Sequence, residues 1–256
     1  MRKRQKLGQH LLTEPTILDR IVKASEIKLE EVVFEIGTGG GHLTEKICKS
    51  GNRVISVELD QKFFKIAKER LGYLKNLELI HGDGFKLDCK FDVLISNIPY
   101  SKSLRLIEWL SSKQLNRGII TVQKEFADKI LAKPGLPNYR AVSVLAQNRF
   151  TIQKLFDIEK DYFNPPPLVN STVILFKTKG ADPIHPQIVS SLKTLFSFRG
   201  RLVLPSIKSI LKYNEKDLNM LIDVLGYPLL QKRIERLNVE EAFGLAKMLA
   251  EINYGK

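Results

Sequence analysis

Glycines occupy positions 37, 39, 40 and 41, between the apolar run Glu31-Val-Val-Phe-Glu-Ile36 and a helical pattern that starts at His42. Lacking a Cβ, they let the backbone turn sharply and let a ligand approach it closely. A dinucleotide fingerprint starting at Gly37 would place its last glycine at position 42, where this chain has His42. The spacing Gly37, Gly39, Gly41 suits a ligand without a pyrophosphate, such as S-adenosylmethionine; a bare strand-to-helix turn would also account for it. Glu58 ends the next strand-like run, 21 residues after Gly37. That separation suits an acid that accepts hydrogen bonds from ribose hydroxyls. The same Glu58-Leu-Asp60 stretch has a plainer use as the cap of the following helix. Asp83, in His81-Gly-Asp-Gly84, offers a carboxylate to the exocyclic amine of an adenine, or simply makes a turn.

The sharpest segment is Ser96-Asn97-Ile98-Pro99-Tyr100, directly after an apolar run. The exocyclic amine of adenine is a poor nucleophile because its lone pair is delocalised into the ring. Two acceptors on the amine hydrogens, the Asn97 side-chain oxygen and a backbone carbonyl at Ile98, would favour a more pyramidal nitrogen. Pro99 would stiffen the turn, and Tyr100 offers a face on which an extracted base can stack. No general base is required, since the nitrogen becomes acidic once alkylated. A proline turn alone explains Pro99 but not the ordered company of Asn97 and Tyr100.

These residues need strand ends to hold them, and the chain supplies strands at a regular interval. Short apolar runs at 31–36, 53–57, 77–80, 91–95, 118–122 and 168–176 alternate with helical periodicity, as at Phe63, Phe64, Ala67 and Leu71. Such alternation predicts an α/β unit with a largely parallel sheet, in which ligands sit at the carboxyl ends of the strands. After Phe176 the polar joint Lys177-Thr-Lys-Gly-Ala-Asp-Pro183 leads into purely helical periodicity, and Asn238 with Glu241 forms a capping pattern. The expected division is a catalytic domain over 1–178 and a small helical domain over 179–256.

The 256 residues carry 41 Lys+Arg against 28 Asp+Glu, a formal net charge of +13. That excess points to a polyanionic partner, because each neutralised phosphate releases counterions. Arg2, Lys3, Arg4 and Lys6 form a basic arm suited to a phosphate backbone. Lys208, Lys212, Lys232, Arg233 and Arg236 are either a second footprint or a solvated face. The composition argues against global disorder, and no apolar run approaches the length of a transmembrane helix. The start has no apolar stretch of the kind a secretory signal needs. Cys48 and Cys89 are far apart, the four histidines are scattered, and no metal site is expected. A cytoplasmic protein is the expectation.

Taken in order, these elements resemble the rRNA adenine dimethyltransferases of the KsgA type, archaeal ones included. The opening Leu7-Gly-Gln-His10-Leu-Leu12 resembles that family's first signature, and Phe163-x-Pro165-x-Pro167-x-Val169-x-Ser171 resembles its last. The resemblance covers residues 7 to about 177. It implies a Rossmann-like S-adenosylmethionine-dependent methyltransferase domain followed by a small C-terminal helical domain. It assigns His10, Leu12, Gly37, Gly39, Glu58, Asp83 and Asn97 to the cofactor, and Asn97, Tyr100 and Phe163 to the target. Tyr100 and Phe163 would sandwich the adenine. The implied activity is dimethylation of two neighbouring adenosines near the 3′ end of small-subunit rRNA in an immature ribosomal subunit, by a monomer. The alternatives are a large-subunit rRNA methyltransferase of the antibiotic-resistance type and a nonenzymatic assembly or transcription factor. Three departures stand out. His10 and Leu11 replace the Asn and Phe of many relatives. Thr38 replaces a usual proline, which would leave the glycine loop more mobile. Phe198-Arg-Gly-Arg201 is less basic than the matching stretch of archaeal relatives.

Overall fold

The computed structural model describes residues 10–180, 182–212 and 215–254. The arm Arg2, Lys3, Arg4, Lys6 and the signature residues Leu7 to Gln9 lie outside the described residues. Contacts divide the chain into two compact units. The first comprises Met1–Trp109, Gln114–Ala127 and Thr151–Gly180; the second comprises Leu110–Lys113, Asp128–Phe150 and Ala181–Lys256.

The first unit is built on a seven-stranded sheet and a separate two-stranded ribbon. The ribbon joins β1 (Leu11–Leu12) to β8 (Phe163–Asn164). In chain order the strands of the sheet are β2 (Val33–Ile36), β3 (Val54–Glu58), β4 (Leu77–His81), β5 (Val93–Ser96), β6 (Arg117–Gln123), β7 (Phe150–Ile158) and β9 (Ser171–Thr178). Their spatial order is β4-β3-β2-β5-β6-β9-β7. The strands from β4 to β6 run parallel, and β9 is antiparallel to β6. Every residue of β2, β3 and β5 is buried, the pattern of parallel strands covered on both faces. Val33, Val54, Val93, Ile95 and Ile119 pack against Ile17, Leu18 and Ile21 of helix α1 (Pro15–Ala24) and Leu43 and Ile47 of helix α2 (His42–Cys48).

The sheet reverses its order at β2, which has β3 on one side and β5 on the other. A crevice at that reversal, beyond the carboxyl ends, is where open α/β sheets bind ligands. One expectation is corrected: the run at 168–176 starts as a strand only at Ser171. Leu168–Asn170 instead continue the loop that begins with Pro165, Pro166 and Pro167, which have no N–H groups for a ladder. The ribbon and β7 carry no clear sequence signal.

Within the second unit, helices α3 (Ala141–Arg149), α4 (Pro186–Ser197) and α5 (Val239–Tyr254) pack on one another. Segment 128–150 therefore belongs to this helical unit. The Tyr139 hydroxyl donates to the Leu237 carbonyl at 3.1 Å, and the Gly135 N–H donates to the Glu235 carbonyl at 2.6 Å. The last helix is capped as its sequence suggests. Asn238 Oδ1 accepts from the Glu241 N–H at 2.8 Å, and Glu241 returns the bond at 2.9 Å. Two residues of the second basic cluster have partners within the protein: Lys232 pairs with Glu241, and Arg233 bonds the Gly200 carbonyl.

The starting ends of the strands are tied by a buried ion pair. Arg117 donates to both oxygens of Glu31 and to the carbonyls of Ser25 and Glu26, the latter two at 2.6 Å. Hydrogen bonding from Arg117 outweighs burial and pulls the Glu31 carboxyl down to about 2. Arg117→Ala would leave two carbonyls unpartnered in the interior and the Glu31 carboxylate without its counter-ion, held only by the Lys28 N–H and the Asn116 amide. It should cost about 3–5 kcal/mol of stability, read from urea unfolding of the two proteins. A loss below about 1 kcal/mol would mean that water reaches the pair.

Candidate active site

The glycine turn leaves β2 through left-handed backbone that side chains resist. Gly37, Gly39 and Gly41 have φ of 88°, 56° and 80°. A Cβ on Gly39 would stand 2.8 Å from Leu11 Cδ2, and one on Gly41 would stand 2.7 Å from Leu71 Cδ1. Both positions therefore require glycine by conformation; at Gly41 the buried Leu71 also denies a Cβ space, whereas at Gly39 the Leu11 side chain alone would have to shift. Thr38 does not loosen this turn. Its hydroxyl is buried and bonds Ser56 Oγ at 2.5 Å, a tether to β3 that replaces the restraint of a proline.

Ser56 passes the link inward. It donates to Glu35 Oε2 at 2.6 Å, and Thr44 of α2 donates to the same oxygen at 2.6 Å. One buried carboxyl thus joins β2, β3, the glycine turn and the helix that follows it. Burial is the dominant influence on Glu35 and pushes it up to about 7, while the two hydroxyls pull the other way.

Glu58 ends β3 with a nearly buried side chain. Its Oε2 accepts from the Gly39 N–H at 2.7 Å and its Oε1 from the Asp60 N–H at 2.8 Å. Burial raises its carboxyl above the ordinary range, and the N–H groups of Asp60, Gly39 and Leu59 oppose the rise. Asp60, not Glu58, caps the next helix, accepting from the Lys62 and Phe63 N–H groups at 2.8 and 3.3 Å.

These residues surround a cavity of about 320 Å³, within the range of small-molecule sites. Its wall includes Gly37, Gly39, Glu58, Asp83 and Asn97, at or just beyond the ends of β2, β3, β4 and β5, and His10, which precedes β1. Leu12 is absent from that wall; its side chain is buried in the core, and Leu11 lines the cavity in its place. The alternation of side chains along the short strand puts only one of the two leucines on that side. Asp83 accepts from the Phe85 N–H at 3.0 Å and pairs with Arg105 at 3.2 Å. The Arg105 guanidinium in turn lies 4.2 Å from the Phe85 ring centre. Arg105, Phe85 and Lys102 line the cavity without a sequence signal of their own. Arg105 was findable only as a cation five residues beyond Tyr100.

The two aromatic candidates stand apart from the cavity wall. Tyr100 stacks on His10 with ring centres 5.5 Å apart and planes 25° from parallel. Its hydroxyl bonds Ser171 Oγ at 2.5 Å, and burial raises its phenol. His10 is held in turn by Nδ1, which donates to the Pro165 carbonyl at 2.7 Å. Phe163 is 3% exposed and belongs to the core, opposite Leu12 in the ribbon. No group of three metal-ligating side chains is found among the described residues.

The profile of the family described as "Ribosomal RNA adenine dimethylase" matches residues 1–250. The chain belongs to this family. A "Ribosomal RNA small subunit methyltransferase A" of Thermotoga neapolitana is 35% identical over 247 residues, 96% of this chain and 91% of the relative. A "Probable ribosomal RNA small subunit methyltransferase A" of Pyrococcus furiosus is 31% identical over 251 residues, covering 96% and 92%. The crystal structure of a dimethyladenosine transferase from Plasmodium falciparum superposes with a TM-score of 0.79 at 27% identity, covering 96% and 98% of the two chains. As a family member this chain is an rRNA methyltransferase, and S-adenosylmethionine is its methyl donor. The site fits that donor. A left-handed glycine turn on the cavity wall, a buried carboxyl ending β3 and no phosphate-binding fingerprint suit an adenosine joined to a sulfonium amino acid.

Two outcomes test the site. Glu35 is held neutral to about 7, whereas the same group in the unfolded chain ionises near 4.5. The folded state then binds the extra proton between those values, so stability falls as pH rises from about 4.5 to about 7 and levels off above. Glu35→Gln should remove about 2–3 kcal/mol of that fall, seen by comparing urea midpoints of both proteins at pH 5 and pH 8. Parallel pH dependences in parent and variant would mean that Glu35 is ionised when folded. In the cavity, Glu58→Ala and Asp83→Ala should each weaken cofactor binding by about 1–3 kcal/mol in calorimetry. Unchanged affinity in both would remove them from the site.

Proposed function

We propose that this chain dimethylates the exocyclic amines of two adjacent adenosines near the 3′ end of small-subunit rRNA, acting as a cytoplasmic monomer on an immature ribosomal subunit. One observation carries the reading. Asn97, Ile98 and Pro99 line the same cavity as the glycine turn, Glu58 and Asp83, so an amine acceptor stands beside the donor site. The names of the Thermotoga and Pyrococcus relatives support the small subunit over the large one. No described helix is long and apolar enough to cross a membrane.

The bound cofactor supplies an electrophilic methyl group on a sulfonium; the protein's part is placement. We assign Glu58 to the ribose hydroxyls and Asp83 to the adenine amine of the cofactor, with Gly37 and Gly39 giving close backbone approach. His10 and Leu12 complete this set, Leu12 through its backbone, since its side chain is in the core. At the target, the Asn97 side-chain oxygen and the Ile98 carbonyl accept the two amine hydrogens and turn the nitrogen lone pair towards the methyl. The proton leaves to solvent after transfer. Tyr100 gives the first stacking face for the base. Phe163 gives the second when its ring turns out of the core. Catalysis is then chiefly orientation and exclusion of water. Residues 1–178 carry this chemistry, and residues 179–256 contribute to the choice of RNA.

The reading is tested by incubating the protein with labelled cofactor and immature small subunits, then mapping the modified bases. Label on two adjacent adenosines near the 3′ end is expected; label in large-subunit RNA would favour the resistance-type activity. Asn97→Ala should fold and bind RNA while turnover drops about 100-fold or more, because the lost acceptor acts mainly in the transition state. Near-parental turnover would place the amine elsewhere.

A further inference from the structure

Residues 165–170 connect β8 to β9 as a loop tethered at both ends to residues of the site. At one end the Pro165 carbonyl accepts from His10 Nδ1 at 2.7 Å; at the other, Ser171 Oγ bonds the Tyr100 hydroxyl at 2.5 Å. Asn170 adds two tethers. Its carbonyl accepts from the Lys124 N–H, and its side-chain oxygen accepts from the Lys160 N–H, both at 3.1 Å. Three successive prolines restrict the backbone, and Pro167 is buried. The next residue, Leu168, is 96% exposed, more than any other large hydrophobic residue among those described.

A solitary exposed leucine is ordinary on a protein surface. One held outward by a stiff loop, whose anchors are the partners of Tyr100 and His10, calls for a use. An enzyme that alkylates a base must take it out of its stack, and extrusion leaves an apolar gap between the neighbouring bases. Leucine has the size to fill such a gap and no polar group to lose water there, and a pre-stiffened loop loses little freedom on insertion.

We propose that Leu168 is a wedge that enters the stack of structured RNA and holds the space vacated by the target adenosine. It is a positioning residue. The proposal rests on the rRNA adenine methyltransferase reading, and the experiment separates the two. The full chain with S-adenosylmethionine is assayed on two RNA hairpins carrying the adjacent adenosines. In one hairpin the flanking nucleotides are intact; in the other they are abasic, so that the adenosines are already unstacked. Leu168→Ala should lower kcat/KM about 10-fold on the intact hairpin and by less than about twofold on the abasic one. With 2-aminopurine at the target position, the variant should show less unstacking fluorescence at saturating protein. Leu168→Met should restore both readouts. Equal losses on the two hairpins, or no loss on either, would overturn the wedge. So would a loss confined to whole ribosomal subunits, which would point to a protein neighbour for Leu168. A parent protein that methylates neither the hairpins nor immature small subunits would remove the substrate reading and the wedge with it.

Discussion

The carboxyl group of Glu58 joins the two chain segments on which the site is built. One oxygen takes the Gly39 N–H of the glycine turn and the other takes the Asp60 N–H at the start of the next helix. The turn after β2 and the turn after β3 are therefore set against each other by one side chain. Burial raises the carboxyl of Glu58 and the backbone donors oppose that rise, so the group depends on its partners to stay charged. A residue that orients backbone in this way is committed before any ligand arrives. The remaining acceptor capacity of its oxygens is then offered at a fixed place.

Behind Glu58 lies a second, deeper carboxyl with a different task. Glu35 accepts from Thr44 and Ser56 inside the sheet, and Ser56 bonds Thr38. The chain Thr38–Ser56–Glu35–Thr44 ties turn, strand and helix where no apolar contact could fix direction. Such placement matters more here than acid–base strength. Methyl transfer to an amine needs its reacting atoms aligned, and misplacement by an ångström costs orders of magnitude in rate. The left-handed glycines contribute by forbidding other paths for the turn.

Much of this was legible in the sequence, and for a physical reason. Glu58 and Asn97 stand at the ends of buried parallel strands and Asp83 follows the partly exposed edge strand β4; the apolar runs of these strands are easy to read, and their carboxyl ends share one edge of the sheet. Position along the chain thus translates directly into position in space. The ribbon of Leu11–Leu12 with Phe163–Asn164 had no such signal, since two-residue strands lack any periodicity. Arg105 and Lys102 were invisible because a cation on a helix looks the same whether it lines a cavity or faces solvent. Segment 128–150 joins the helical unit through tertiary hydrogen bonds such as Tyr139 to Leu237, 98 residues apart, which no local pattern encodes. The residues just before β9 read as strand because Leu168 and Val169 look apolar, yet Leu168 is almost fully exposed.

The donor and target halves of the proposed site differ in how they are held, and the difference suits the ligands proposed for them. The donor half rests on main-chain turns and carboxyls locked by hydrogen bonds, which suits a small molecule of constant shape. The target half rests on side chains in mutual contact: Tyr100 on His10, His10 on Pro165, and Phe163 against the core. A base arriving from a folded RNA must displace some of these contacts, and each one it displaces it must replace by stacking of its own. An adenine offers a broad π face and can make that exchange. A water molecule or a stray amine has no such face and cannot make it.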